Sequence, residues 1–146
     1  MAKRLSTGDI LETIVSDGLY YLQYLGRHVS YGDCVAVCPK KFRSRPALTP
    51  ELLLASYATF YPASAAVREG LVSLIGNLPS TGIPKRFRRP GASAGKVIKT
   101  WVLEEGSSEE LRQTLSDEER RLPIAAIWNH ECLLHYLSTG WRPEHE

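Results

Sequence analysis

The side chains best equipped for chemistry are Cys34, Cys38 and Cys132 together with His28, His130, His135 and His145. Cys34 and Cys38 lie four apart, which on a strand turns both thiols to one face. With Cys132 and His130 or His135 they supply, on paper, the four ligands of a zinc site. The spacing is not Cys-x2-Cys, however, and Pro39 follows directly. Small thiols in an apolar strand commonly fill a core, so that role is preferred and neither metal nor cofactor is expected. His130 and His135 are five apart and point to different faces of a helix, unlike the i, i+4 histidines of an HExxH site. A nucleophilic pair from Cys132 and a histidine would need a closeness that one shared helix does not give. The phosphate-cradling glycine patterns are missing too. The chain is therefore expected not to be an enzyme.

Charge is the stronger signal. The run Lys85-Arg86-Phe87-Arg88-Arg89 sets four cations around one aromatic ring. Such a loop suits phosphates and an unpaired base, or an acidic protein surface, or plain solvation. The net charge is only +2, yet residues 1–99 carry +8 and residues 100–146 carry −6. A second basic group is Lys40, Lys41, Arg43 and Arg45. The acidic half contains Glu104, Glu105, Glu109, Glu110, Asp117, Glu118 and Glu119. Two candidate contact surfaces follow: an acidic face of Glu104, Glu105, Glu109, Glu110, Asp117 and Glu118, and a basic loop of Lys85, Arg86, Arg88 and Arg89. The sequence pI of about 8.5 falls short of the values above 9 usual for nucleic-acid domains. A protein partner is thus preferred over DNA or RNA.

The elements that must carry these groups read as strands first and helices later. Asp17-Gly18 marks a tight hairpin, with glycine expected to supply a positive φ. Leu19 to Leu25 is a tyrosine-rich strand, Gly26 to Gly32 a connection, and Asp33 to Cys38 a third strand. Pro39 to Pro46 reads as a basic loop. Thr49-Pro50-Glu51 is a helix start, with the helix running to Ser56. Tyr57 to Tyr61 turns aromatic and β-branched, Ala63 to Glu69 is helical up to Gly70, and Leu71 to Ile75 has strand length. Residues 78–96, rich in Pro, Gly, Ser and Arg, are expected to form one exposed loop. Lys96 to Leu103 is the last clear strand. Ser116 and Glu119 make a capping box. Asn129 caps a final helix from His130 to Thr139, which Gly140 ends.

At 146 residues the chain is one domain's worth and long enough to bury a core without staples. An odd cysteine count argues against a disulfide framework. No secretory leader and no run long enough to span a membrane is evident, so a cytoplasmic location and no membrane partner are expected. The fold class expected is α+β: a twisted antiparallel, barrel-like sheet with short helices and a C-terminal helix.

The order of landmarks resembles the immunity protein 26 family of bacterial polymorphic-toxin systems. The matching text is Gly8-Asp9-Ile10, Asp17-Gly18 with Tyr20, Tyr31-Gly32-Asp33 and Phe60-Tyr61. It continues through Gly70-Leu71-Val72, Gly76-Asn77, Pro79, Pro84 with Phe87, and Trp101. Leu122-Pro123, Asn129, Leu133 and Gly140-Trp141 complete it. The resemblance spans Thr7 to Pro143 as one domain. It implies a protein that binds a cognate toxin and blocks it without doing chemistry. Charge would then set specificity and on-rate while buried aromatics carry affinity.

Overall fold

The structure, a computed structural model, describes residues 4–93, 96–104, 110–112 and 114–145. Strand β1 (Asp9–Val15) turns through Ser16-Asp17 into β2 (Gly18–His28), which pairs antiparallel with β3 (Gly32–Phe42). A 3₁₀ turn, Pro50–Leu53, precedes β4 (Tyr57–Phe60), α1 (Ala63–Arg68) and β5 (Ser73–Asn77). These strands form one antiparallel sheet in the order β4-β3-β2-β1-β5. A second sheet is built from β6 (Arg86–Ser93), β7 (Lys96–Glu104) and β8 (Glu110–Arg112), with β7 in the middle. The short α2 (Asp117–Arg120) and the longer α3 (His130–Thr139) follow.

The fold is α+β as expected, but the sheet is open and not a barrel. Closure would require β4 to meet β5, with tilt and stagger consistent around the ring. Those two edge strands have only four and five residues, and the later strands build their own sheet. The β4 edge is instead covered from outside, where the Trp128 amide donates to the Phe60 carbonyl at 2.8 Å.

Alternation along the strands divides the core. Val35 and Val37 of β3, with Leu22 and Tyr24 opposite them, join Tyr57, Tyr61 and Trp128 on one face. Leu133 and Leu137 of α3 cover that face. On the other face Cys38, Tyr21 and Ile10 pack under Leu52 of the 3₁₀ turn. Cys34, Leu25 and Phe60 receive Phe87 from β6, which ties the second sheet to the first.

Two glycines do work other than the sequence implies. Gly18 has no positive φ; a Cβ there would sit 2.8 Å from the Phe42 carbonyl oxygen, so close approach excludes a side chain. Gly26, read as the start of a connection, lies inside β2 at a register shift, with φ +135. It lets a bulge bend the strand without ending it. Strand β3 likewise runs through Pro39, shortening the expected basic loop, because the register shift between Tyr21 and Leu19 accommodates a residue that cannot donate to the ladder. The expected helix from Pro50 is a single 3₁₀ turn: the Thr49 hydroxyl makes no cap to the backbone and donates to Glu51 Oε2 at 3.0 Å.

Candidate functional site

The run that sequence alone reads as loop is strand β6. It forms because β7 supplies a partner across its whole length, from Arg86 opposite Glu104 to Ser93 opposite Lys96. Both faces of the strand are covered at its start, Phe87 packing on the first sheet and Arg88 burying on the opposite face. Arg88 points inward and is 2% exposed, whereas Arg89 and Lys85 are exposed and Arg86 half-buried. Arg88 is therefore no part of a contact surface. A buried cation needs acceptors, and Arg88 finds them in main-chain carbonyls. Its Nη2 donates to Arg120 O at 3.1 Å and to Pro143 O, and its Nε lies 3.5 Å from Leu122 O. Its own backbone joins the segment after α2, with the Arg88 amide donating to Pro123 O and its carbonyl accepting from Ala125 N, both at 2.9 Å.

That pinning brings the two expected charged surfaces together. The Arg86 guanidinium stands 3.8 Å from Glu118 and 3.8 Å from Glu119. The capping box is present as expected: the Glu119 amide donates to Ser116 Oγ at 3.1 Å and the Ser116 amide to Glu119 Oε1 at 3.0 Å. Asp117 and Glu118 remain exposed, as does Arg120 beside them. Glu104 and Glu110 lie on the backbones of β7 and β8, opposite Arg86 and Val102. Glu105 and Glu109 lie outside the described residues. The basic loop and the acidic face thus meet, among the described side chains, where Arg86 faces Glu118 and Glu119, making an edge of mixed sign.

In the other basic group Arg45 and Lys41 form internal pairs, whereas Arg43 is exposed. Arg45 grips the buried Glu12 with two hydrogen bonds, 2.8 Å through Nε and 2.9 Å through Nη2, and Tyr21 donates to the same carboxylate at 2.7 Å. The Arg45 hydrogen bond, set against burial, holds the Glu12 carboxyl below its ordinary range. Lys41 pairs with Asp17 at 2.7 Å, and Lys40 lies over the Phe42 ring.

The cysteines and histidines do not assemble one centre. The Cys34 and Cys38 thiols are buried in β3, and burial alone pushes Cys34 up to about 12. His130 Nδ1 shares a hydrogen bond with the Tyr61 hydroxyl at 2.8 Å, and burial lowers its pKa. Cys132 packs against the core, and its amide is the one capped by Asn129, at 2.7 Å. His135 is exposed near Tyr136. Among the described residues no three His, Cys, Asp or Glu side chains are grouped to hold a metal ion. Nor is any described helix long and apolar enough to cross a membrane.

Sequence reasoning missed one further feature. A cleft of about 470 Å³ opens beside α2, floored by Gln23, Ala36 and Ala58 and rimmed by Arg121, Arg142 and Glu144. The signal available was the pair of alanines within otherwise bulky strands, but it becomes meaningful only once β2, β3 and β4 are aligned.

No family model, curated protein or solved structure matches this chain.

Proposed function

We propose that this chain is a non-enzymatic binding protein that neutralises a cognate bacterial toxin by surface complementarity. The resemblance to the immunity protein 26 family suggests the toxin, and the mixed-sign edge is the observation that carries the docking mode. Arg86 at the start of β6, with the exposed Lys85 just before it, stands beside Asp117, Glu118 and Arg120 of α2. A fixed alternation of sign reads a partner with the opposite alternation, raising specificity and encounter rate. A nucleic acid would instead favour a stripe of one sign. Here Arg88 is buried, Arg86 faces carboxylates, and Arg45 and Lys41 are paired.

The test is protection of growth. Co-expression with a toxin domain found in a neighbouring reading frame should restore growth, and Asp117→Lys with Glu118→Lys should abolish the rescue while leaving the melting temperature within a few degrees. Growth arrest despite the folded wild-type protein would overturn the proposal. Retardation of DNA or RNA at low salt, fading steeply as salt rises, would establish the nucleic-acid reading in its place.

A further inference from the structure

We infer that the cleft beside α2 binds the carboxyl-terminal residue of a peptide or of an N-acylated amino acid. Its volume of about 470 Å³ lies within the roughly 300–1,000 Å³ of small-ligand sites. The floor is a row across three strands, Gln23 opposite Ala36 and Ala36 opposite Ala58, so two methyl groups replace the larger side chains that fill the rest of the sheet.

The polar groups around this hollow are incompletely used. Gln23 is only 4% exposed. Its amide nitrogen donates to Leu78 O at 2.9 Å, with the carbonyls of Pro79 and Gly8 at 3.4 and 3.5 Å. Those acceptors fix which end of the amide carries the hydrogens. The opposite end, Oε1, accepts no hydrogen bond from the described residues. Tyr57, also lining the cleft, has a buried hydroxyl with no hydrogen-bond partner among them.

Charge at the rim selects the sign of the ligand. Arg142 donates through Nη1 to Ala55 O at 2.8 Å and through Nε to Glu144 at 3.1 Å, which neutralises it. Arg121 is exposed and has no ion pair with any described residue. The rim therefore holds one surplus positive charge. Leu25, Leu53 and Leu54 add apolar walls. One cation, one unused acceptor and an apolar wall match one carboxylate, one amide N–H and one aliphatic side chain. That set is the end of a peptide chain, and a free N-acyl amino acid shares it. The inference is independent of the toxin-neutralising proposal, since it uses neither Asp117 nor Glu118.

The experiment is an amide ¹H–¹⁵N titration of the intact protein with N-acetylleucine and with N-acetylleucinamide. The acid should give saturable shifts at Ala36, Ala58 and Gly82, and the amide should bind about tenfold more weakly for want of a charge-assisted bond. Arg121→Ala should weaken the acid similarly without loss of thermal stability, and Ala58→Leu should block it. A tetrapeptide ending in leucine that binds more tightly than N-acetylleucine would assign the site to chain termini; equal affinity would assign it to the free acid. Absence of saturable shifts, equal binding of acid and amide, shifts confined elsewhere, or an unaffected Arg121→Ala protein would each overturn the inference.

Discussion

Arg88 shows how little a side chain's type says about its task. Four cations in a five-residue run read as an exposed patch, but a strand covered on both faces buries Phe87 and Arg88 in succession. One of the four then becomes an internal fastener. Its acceptors are carbonyls far along the chain, which no local pattern marks. Replacing it with methionine keeps most of the stem but strips the carbonyls of Arg120 and Pro143 of a donor. The expected loss is about 3 kcal/mol, measurable as a lower urea midpoint with the slope unchanged. His130 makes a pH-dependent prediction. Burial depresses its folded pKa below the ordinary 6.5, so below pH 6.5 the unfolded chain takes up the proton first. Stability should therefore fall as pH drops through that window and on to the depressed value. In His130→Gln this component should vanish; a midpoint with the same pH slope in both proteins would refute it.

At the level of elements, legibility follows how local the cause is. Asn129 ahead of His130, Gly140 after Thr139, and Ser116 with Glu119 were all readable, because each cap is made within a few residues. Strand β6 was not, because Pro90 and Gly91 speak for a loop and only pairing with β7 overrules them. Gly26 and Pro39 were misread for the same reason: a bulge is a property of two strands, whereas the residue that permits it looks like a break. Gly18 was read correctly as a hairpin residue but for the wrong cause. Gly18→Ala should cost about 1–3 kcal/mol, from the clash with the Phe42 carbonyl. A thermal melt unchanged by this substitution would show that the β2–β3 register yields. Removing the Ser116 cap with Ser116→Ala should cost about 1 kcal/mol and loosen α2, which circular dichroism melts would record.

For the molecule as a whole, charge asymmetry along the sequence is offset in space at one edge. The basic first part and acidic second part meet where Arg86 faces Glu118 and Glu119, which weakens the local field of either sign. Surface pairs of this kind contribute about 0–1 kcal/mol each and are screened by salt. Charge reversal at Asp117 and Glu118 should accordingly leave stability nearly intact while altering association. The signature expected is a partner on-rate that drops and loses its ionic-strength dependence, as read by surface plasmon resonance. An unchanged on-rate would locate the contact elsewhere. The candidate site itself was half legible: its residue types stood in the sequence, but their convergence, and the cleft beside them, depended on strand alignment.

The grip of Arg88 on both Arg120 and Pro143 also has a kinetic meaning. The three-stranded sheet, the turn after α2 and the tail around Pro143–His145 share one guanidinium as a rivet, so none of them can breathe alone. Deuterium uptake at Arg88 and Ala125, whose amides hydrogen-bond across this seam, and at His145 within the tail, should proceed at a common rate set by one opening event.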